Sequence, residues 1–322
     1  MARYLITGIA GFIGSSLAHA LLEQGHTVSG VDSLITGNLE NLASIRDQIT
    51  FRKIDIQDVN GMKDACTGVD IILHQAALAS VPRSVKDPLT SHNANINGTL
   101  NLLIAARHAG VRRIVYAASS SAYGDQPTQP KQEDMLPRPL SPYAVQKLTC
   151  EYYVQSFYRT YGLEGICLRY FNIFGPRQAA DSPYSGVIAQ FIYKMMAGVT
   201  PTIFGDGLTS RDFNFIDNAV SANLLAAAAP SEVATGRVFN VGTGNSVTLN
   251  EVYDTIAGQL NFKARPNYGP FREGDIKHSL ADISRARAEL GYEPKAQFRE
   301  GLRKTVNWYL EEKEKKELVT AR

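Results

Sequence analysis

Near its N-terminus the chain reads Arg3-Tyr4-Leu5-Ile6-Thr7-Gly8-Ile9-Ala10-Gly11-Phe12-Ile13-Gly14. The apolar start predicts a buried strand, and the glycines are spaced Gly-x-x-Gly-x-x-Gly, one residue wider than the usual dinucleotide fingerprint. Leu17, Leu21 and Leu22 follow with helical spacing. Glycines in such a strand-turn-helix unit let backbone N–H groups approach a pyrophosphate at the helix N-terminus. The run therefore predicts a dinucleotide-binding turn made by Gly8, Gly11, Phe12, Ile13 and Gly14.

A second strand is predicted from Thr27 to Val31, and it is followed directly by Asp32. This carboxylate has the offset from the glycine turn at which an acidic residue binds the ribose hydroxyls of NAD. It would repel the 2′-phosphate of NADP, and no Lys or Arg follows until Arg46. NAD is therefore the expected cofactor. The alternative for Asp32 is an ordinary turn residue at a strand end.

Strand and helix patterns alternate through the first half of the chain. Further strands are predicted at Phe51–Asp55, Asp70–His74, Arg113–Ala118 and Gly165–Tyr170, and helices at Asn95–His108 and Tyr143–Tyr161. This alternation predicts an α/β fold, a doubly wound parallel sheet of the Rossmann type, over residues 1–175. Ligands of such sheets bind beyond the carboxyl ends of the strands.

After about residue 175 the elements become shorter, because prolines and the run Gly205-Asp206-Gly207 interrupt the chain. Residues 176–322 are therefore expected to form mainly a smaller mixed α/β substrate-binding domain. Two segments, Ala219–Ala229 and Val238–Val241, have the pattern of a helix and a strand. They predict that the chain returns to the first domain near residues 212–242.

Tyr143 and Lys147 are four residues apart on a predicted helix, so they project from the same face. An ammonium group there can lower the pKa of the phenol from roughly 10 toward neutrality. A tyrosinate near neutral pH is a general base for a hydroxyl proton. With a hydride acceptor at the glycine turn, this pair predicts oxidation of an alcohol.

The composition of the chain limits the classes of protein to which it can belong. The chain has 322 residues, of which 44% are hydrophobic, and a net charge of +2 that gives no reason to expect nucleic acid as a partner. Cys66, Cys150 and Cys167 lack metal-ligand spacing, so no metal site is expected and a reducing cytoplasm is favoured. Neither a signal peptide nor a membrane-spanning segment is expected. Aromatic residues crowd the Tyr143 helix, and they predict a homodimer contact, with close intramolecular packing as the alternative.

Taken together, these motifs resemble the extended short-chain dehydrogenase/reductase family over nearly the whole chain. The glycine turn, Asp32, the run Ser119-Ser120-Ser121-Ala122-Tyr123-Gly124 and the Tyr143-x-x-x-Lys147 pair carry the resemblance. Within the family the likeness is to nucleotide-sugar 4-epimerases, particularly those acting on UDP-N-acetylglucosamine. It is carried by Arg169-Tyr170-Phe171-Asn172-Ile173-Phe174-Gly175, Arg211-Asp212-Phe213 and Arg272-Glu273-Gly274-Asp275.

The serine run separates this chain from related enzymes that eliminate water. The family's 4,6-dehydratases carry an Asp-Glu pair after the first hydroxyl residue, and UDP-glucuronate decarboxylases usually carry a glutamate there. In this chain the two positions are Ser120 and Ser121, which cannot act as acid or base near neutral pH. The resemblance therefore implies proton and hydride transfer at a single sugar carbon. A polar exit from a strand is the alternative reading of the three serines.

The resemblance also assigns roles by position. Ser119 and Tyr143 would act on the sugar's 4-hydroxyl while NAD accepts and later returns the C4 hydride, and Lys147 would contact the nicotinamide ribose. Asp55 and Ile56 would lie beside the adenine. Asn95 and Tyr170, together with Phe171, would lie near the nicotinamide. Substrate contacts are implied for Arg83, Ser119, Ser120, Ser121, Tyr143, Asn172, Phe204, Arg211, Arg272, Asp275 and Ser279.

Ser279 bears on the size of the substrate. The family places a size filter beside the sugar's 2-position at this point, and a bulky Tyr there is typical of epimerases confined to UDP-glucose and UDP-galactose. A small residue implies room for an N-acetyl group along with plain hexoses. The alternative is that Ser279 is only a small loop residue.

Three other functions stay open. A UDP-glucuronate 4-epimerase would share the catalytic residues, although such enzymes often resemble Arg-Tyr-Phe-Thr where this chain has Asn172. A simple NAD-dependent dehydrogenase would release its reduced cofactor. A nucleotide-sensing regulatory protein on the same fold would have no need for Ser119, Tyr143 and Lys147 together. The sequence also leaves open whether the sugar diphosphate carries uridine or thymidine, with uridine favoured by the resemblance.

Overall fold

The structure is a computed structural model that describes residues 1–180, 186–234, 236–271 and 276–320. Within these residues the strands, numbered in chain order, are β1 Arg3–Thr7, β2 Thr27–Asp32, β3 Ile49–Lys53, β4 Ile71–His74, β5 Arg113–Ser119, β6 Glu164–Tyr170, β7 Ile173–Phe174, β8 Thr202–Phe204, β9 Ser210–Arg211, β10 Asn214–Phe215, β11 Arg237–Val241, β12 Val247–Thr248, β13 Asn267–Gly269 and β14 His278–Ser279.

The helices of the described residues are α1 Phe12–Glu23, α2 Val59–Cys66, α3 Val81–Lys86, α4 Pro88–His92, α5 Gly98–His108, α6 Pro142–Tyr161, α7 Val187–Met196, α8 Ile216–Ala228, α9 Ser231–Ala234, α10 Leu249–Gln259, α11 Ser284–Leu290 and α12 Phe298–Thr320. Leu39–Gln48 and Ser120–Tyr123 are 3₁₀ turns, and Asn93–Asn97 is a π-helical turn. Among the described residues, none of these helices combines the length and apolar character needed to cross a membrane.

The main sheet has seven strands in the order β11-β6-β5-β4-β1-β2-β3, and every neighbouring pair is parallel. This confirms the predicted doubly wound parallel sheet. The order reverses between β1 and β4, where crevices for ligands form at the carboxyl ends of such strands. Observed strands differ from the predicted ones by up to two residues. The largest difference is at β3, which ends at Lys53 because its partner β2 ends at Asp32, so Asp55 lies in the following loop.

Helices cover both faces of this sheet, which explains why its central strands are apolar along their whole length. Alternate residues of one strand enter opposite cores: Ile6 packs with α1 and α8, and Leu5 packs with α2, α5 and α6. The three cysteines are free and buried in the second core. They pack as small apolar side chains.

The C-terminal half adds three small sheets: β7 with β10, β8 with β13, and β9 between β12 and β14. A third core joins α7, α10 and α12. Two elements that follow residue 212 contact the main sheet or its first core. Strand β11 pairs with β6 at the sheet edge, and α8 packs against α1 in the first core. The carboxyl ends of the parallel strands form one edge of the main sheet, which we call the rim. The C-terminal elements flank this rim.

Candidate active site

The glycine turn connects β1 to α1 at the centre of the rim. Gly8 has a φ of +71°, and a Cβ there would lie 2.9 Å from the backbone of Ala76. A Cβ on Gly14 would overlap the carbonyl oxygen of Gly8. These positions need glycine because the turn is packed against its own backbone and against the segment after β4.

A groove opens above this turn, at the place where the sequence predicts a dinucleotide. Gly11 is the N-cap of α1 and provides no side-chain cap, so the first N–H groups of the helix face the groove without an intrahelical acceptor. Such groups bind a pyrophosphate. The predicted cofactor residues that line the groove are Gly8, Gly11, Phe12, Ile13, Gly14, Asp32, Asp55 and Ile56.

Asp32 is placed at the end of β2 with only 7% of its surface exposed. Its Oδ2 accepts a hydrogen bond from the N–H of Ala10 (3.0 Å), and its Oδ1 accepts one from the N–H of Leu34 (2.8 Å). Burial raises the pKa of this carboxyl, and the two hydrogen bonds act in the opposite direction. The oxygens retain acceptor capacity on the groove side, as a ribose diol requires.

The opposite wall of the groove is the segment Gln75–Ala79 after β4, which the sequence did not reveal. Asn95 holds this wall: its Oδ1 accepts from the N–H of Leu78 (2.8 Å), and its Nδ2 donates to the carbonyl of Leu78 (3.4 Å) and to Oε1 of Gln146 (2.8 Å). The side chain of Asn95 is thus buried and occupied, and the structure places it behind the groove wall.

A chain of hydrogen bonds runs beneath the same wall. The hydroxyl of Thr99 donates to the carbonyl of Asn95 (2.6 Å), so it accepts from Nε2–H of His74 (2.9 Å). Nδ1 of His74 then accepts from the hydroxyl of Thr7 (2.6 Å). Burial lowers the pKa of His74 to about 3, which keeps the ring neutral and suits this single direction of donation.

Tyr143 and Lys147 lie in the first two turns of α6. The start of this helix is set by Ser141, whose Oγ accepts from the N–H of Ala144 (3.2 Å), and by Pro142 at its first position. Further along, Glu151 forms a buried two-point ion pair with Arg169 on β6, at 3.0 and 2.7 Å. These contacts fix α6 against β5 and β6 at the rim.

Lys147 is 4% exposed, and its Nζ donates to the carbonyl of Ala117 at 2.7 Å. Burial lowers the pKa of Lys147 to about 8. Burial raises the pKa of Tyr143 to about 12, and a hydrogen bond from Ser119 acts to lower it. The expected lowering of the phenol's pKa by Lys147 is thus not seen in this structure, in which Ser119 is the neighbour that favours the phenolate.

The serine run explains how Ser119 can donate. Its Oγ accepts from the backbone N–H (3.2 Å) and from the hydroxyl (2.9 Å) of Ser121. With both lone pairs used, Ser119 keeps its own hydroxyl proton for donation to another group. Ser120 and Ser121 lie in the 3₁₀ turn that follows β5, partly exposed.

A second cavity of about 260 Å³ lies beside the segment that follows β6. Of the predicted substrate residues, Asn172, Phe204 and Arg211 line it. Nη1 of Arg211 donates to the carbonyls of Ser210 (2.9 Å) and Lys277 (3.2 Å). Residues that the sequence reasoning missed also line it, including Gln178, Gln190, Phe191 and Thr209.

A buried carboxylate that the sequence did not single out as a site residue organises this cavity. Asp212 is 0% exposed, and its oxygens accept from the N–H and hydroxyl of Thr243 and from the N–H groups of Gly244 and Ala281. Burial raises the pKa of this carboxyl, and the four hydrogen bonds oppose that shift. Its backbone carbonyl accepts from Nδ2 of Asn172 (3.2 Å), and its N–H donates to the carbonyl of Ser279 (2.7 Å).

The remaining predicted residues lie in several places. Ser279 pairs with Arg211 across β14 and β9. Arg83 is partly buried on α3, next to Ser84, whose Oγ accepts from the N–H of Tyr143 (3.0 Å). The hydroxyl of Tyr170 accepts from Asn223 (2.6 Å) and donates to Gln75 (3.3 Å).

One residue expected near the nicotinamide is elsewhere. Phe171 is 0% exposed in the core beneath the rim, packed beside Tyr123. Phe171 follows the last residue of β6 and is fully buried, whereas Tyr170 is partly exposed and its hydroxyl bonds to Gln75 and Asn223. The predicted substrate residues Arg272 and Asp275 lie outside the described residues.

Several known proteins are similar to this chain over most of its length. Residues 4–242 match the family described as the NAD dependent epimerase/dehydratase family. A UDP-glucose 4-epimerase from Mycolicibacterium smegmatis is 40% identical over 95% of this chain and 98% of its own length. The chain is 34% identical to a UDP-glucuronate 4-epimerase of Thermodesulfobacterium geofontis, over 96% of each chain.

Among solved structures, a UDP-N-acetylglucosamine 4-epimerase from Methanobrevibacter ruminantium M1, in complex with UDP-N-acetylmuramic acid, superimposes with a TM-score of 0.91. It is 39% identical and covers 97% of this chain and 99% of its own. The likeness therefore extends over the sheet, the rim and the C-terminal elements together.

Proposed function

The chain belongs to the NAD dependent epimerase/dehydratase family, and we propose that it is an isomerase that inverts C4 of UDP-sugars, converting UDP-N-acetylglucosamine to UDP-N-acetylgalactosamine and UDP-glucose to UDP-galactose. The observation that carries this proposal is the position of Ser119 at the carboxyl end of β5, with Tyr143 and Lys147 at the start of α6 and Lys147 bonded to Ala117 of β5. The glycine turn of the dinucleotide groove follows β1 at the same edge of the parallel sheet. A sugar held there by its diphosphate would present its 4-hydroxyl to Tyr143.

When bound in the groove, NAD supplies a hydride acceptor for C4 and a positive charge beside Tyr143. The chain's own residues handle the proton. Ser119 donates to the Tyr143 oxygen and so stabilises its phenolate, and the phenolate takes the proton of the 4-hydroxyl. Nζ of Lys147 donates to the carbonyl of Ala117, and its ammonium group adds a positive charge. The pKa of Lys147, about 8, lies near the pH range in which the enzyme would work. Tyr143 returns the proton when the 4-keto sugar is reduced on its opposite face.

Epimerisation is favoured over elimination by the residues that follow Ser119. Loss of water from the sugar needs an acid and a base beside C5 and C6. Ser120 and Ser121 occupy the turn at this point, and the hydroxyl of Ser121 is directed to Ser119. The chemistry available at the rim is therefore proton transfer at one carbon.

The substrate range of the proposal depends on Ser279 beside Arg211. A hydroxymethyl side chain leaves space that a tyrosine would fill. Ser279→Tyr should reduce kcat/KM for UDP-N-acetylglucosamine by about 100-fold and leave the value for UDP-glucose within about fivefold. Equal loss for both substrates would contradict this role.

UDP-glucuronate is a second candidate substrate, because one relative at 34% identity is a UDP-glucuronate 4-epimerase. We favour the neutral sugars, since Asn172 points its amide at the carbonyl of Asp212, and no cation among the described residues lines the second cavity apart from Arg211. The test below includes the acidic sugar for this reason.

We also propose that residues 1–175 with the return near 212–242 form the cofactor half, that 176–322 form mainly the substrate half, and that two chains associate through α5 and α6. The support for a homodimer is the exposed apolar surface of these helices: Ile104, Val145 and Tyr152 are exposed, Tyr152 by 52%. Light scattering of purified protein tests this association.

The deciding experiment is NMR of purified protein without added NAD, incubated separately with UDP-N-acetylglucosamine, UDP-glucose and UDP-glucuronate. Growth of axial-epimer signals from the first two supports a cofactor-retaining 4-epimerase with a permissive pocket. Turnover of UDP-glucuronate alone would overturn the proposed substrate range. Tyr143→Phe is the matched control, and it should lower turnover by about 10²- to 10⁴-fold.

A further inference from the structure

The segment that carries Ser279 is held on both of its edges. On one edge β14 pairs with β9, where the N–H of Asp212 donates to the carbonyl of Ser279 (2.7 Å). On the other edge Lys131 pairs with Ala281: the N–H of Lys131 donates to the carbonyl of Leu280 (2.7 Å), and its carbonyl accepts from the N–H of Asp282 (2.9 Å). Residue 279 therefore lies inside a short three-stranded arrangement.

Gln129 completes the second edge with its side chain. Its Nε2 donates to the carbonyl of His278 (2.8 Å), and its Oε1 accepts from the N–H of Leu280 (3.1 Å). A carbonyl can only accept and an N–H can only donate, so these two partners fix the orientation of the amide. The amide bonds the residues on either side of Ser279, as the backbone of a neighbouring parallel strand would.

The loop that carries Gln129, residues 126–131, is held together by hydrogen bonds within the loop. Lys131 is 2% exposed, and its Nζ donates to the carbonyls of Gln126 and Thr128 (2.9 Å for Thr128). The side-chain amide of Gln126 is not part of this network, because its Nε2 donates to the carbonyls of Tyr123 (2.7 Å) and Leu136 (3.0 Å), outside residues 126–131. The loop that carries Gln129 is therefore fixed in place by Lys131. The side-chain amide of Gln129 in turn limits how far the backbone at Ser279 can move away from the substrate side.

We propose that Gln129 is a positioning residue for substrate selectivity: it pins the backbone on both sides of Ser279, so that the side chain at position 279 determines how much room the sugar's 2-substituent has. This inference rests on the proposed role of Ser279. Without the amide, the segment would keep its bonds to β9 and to the backbone of Lys131, but the carbonyl of His278 and the N–H of Leu280 would be released. The backbone at residue 279 could then shift away from the sugar, and selectivity would depend less on the residue at 279.

The test combines Ser279→Tyr with changes at Gln129, and the readout is the ratio of kcat/KM for UDP-N-acetylglucosamine to that for UDP-glucose. Ser279→Tyr alone should lower this ratio by about 100-fold. Adding Gln129→Ala should raise it again by about 10-fold, because the segment carrying Tyr can then retreat. Gln129→Glu, which keeps the acceptor for Leu280 and loses the donor to His278, should act in the same direction.

Gln126→Ala in the Ser279→Tyr background is the matched control, because it removes an amide from the same loop that does not touch residues 278–280. It should leave the ratio unchanged. Hydrogen exchange at the Leu280 N–H is a second readout, and it should speed up in Gln129→Ala and stay as in the parent in Gln126→Ala.

The outcomes separate the two claims. If Ser279→Tyr lowers the ratio and neither Gln129 variant restores it, the role of Gln129 is overturned and the proposed function stands. Equal restoration by Gln126→Ala, or unchanged exchange at Leu280, also overturns it. If Ser279→Tyr leaves the ratio unchanged, the proposed role of Ser279 fails, and the positioning role fails with it.

Discussion

On the dinucleotide side of the rim, the groove is made largely by the main chain of one short run, Gly8–Gly14, with Asp32 and the Gln75–Ala79 segment around it. On the substrate side, Asn172, Phe204 and Arg211 come from separate elements. They are brought together around Asp212, whose backbone and carboxylate bond six groups between Asn172 and Ala281. Most residues of the dinucleotide side are thus neighbours in the sequence, whereas those of the substrate side come from distant parts of the chain.

This difference predicts how each side fails. A local turn is fixed by close packing of backbone on backbone, so adding a single methyl group disrupts it directly. An assembled cavity is fixed by buried hydrogen bonds, so it depends on the group that accepts them. Substitutions that leave the chain folded should therefore damage one ligand site at a time.

The largest effect is expected for Gly14→Ala. The new Cβ would overlap the Gly8 carbonyl and lie 2.9 Å from Cα of Ile9. We expect a loss of about 3 kcal/mol in the free energy of unfolding and loss of bound NAD. Urea denaturation and the nucleotide content of purified protein measure both.

Gly258→Ala provides the control, because Gly258 is also helical and a Cβ there meets nothing within 4 Å. It should raise stability by about 0.5 to 1 kcal/mol. A comparable loss of stability in both variants would show that helix glycines as such, and not the packing of the turn, decide the result.

The next effect distinguishes the two sides by their buried carboxylates. Asp212→Asn retains one acceptor oxygen for four donors, so the free energy of unfolding should fall by about 2 to 3 kcal/mol. UDP should bind at least about tenfold more weakly. NAD affinity should change little. Isothermal titration with UDP and with NAD measures the two affinities separately.

Asp32→Asn should give the reverse result: weaker NAD binding with UDP affinity preserved, because Asp32 lines only the dinucleotide groove. Equal weakening of both ligands in either variant would contradict the independence of the two sides.

The smallest effect is a pH dependence at the catalytic group between the two sides. The pKa of Lys147 is about 8 in the folded chain and ordinarily 10.5, so between these values the unfolded state binds more protons. Wild-type stability should therefore rise, relative to Lys147→Met, as pH increases from 8 toward 10.5. Urea denaturation of both proteins at pH 7.5 and 9.5 tests this. A constant difference between the two would show that Lys147 does not titrate in this window.

Much of the catalytic group could be predicted because its geometry is local. Four residues along a helix place Tyr143 and Lys147 on one face whatever surrounds them. The role of Asn95 could not be predicted in the same way, since its bonds to Leu78 and Gln146 exist only after three elements have packed. The expectation that Phe171 flanks the nicotinamide is contradicted by its complete burial in the core, a contact made with residues far away in the sequence.

By itself the sequence determined the alternation of strands and helices in the first half of the chain, the glycine turn, the acidic residue at the end of β2 and the Tyr143–Lys147 pair on one helix face. Each of these follows from periodicity or from spacing within about twenty residues. Only the tertiary structure decided that Asp212 bonds to Thr243, Gly244 and Ala281, that Gln129 bonds to the backbone on both sides of Ser279, and that burial shifts the pKa values of Tyr143 and Lys147. Hydrogen bonds between distant segments, and the exclusion of water from a packed rim, have no signature in local spacing.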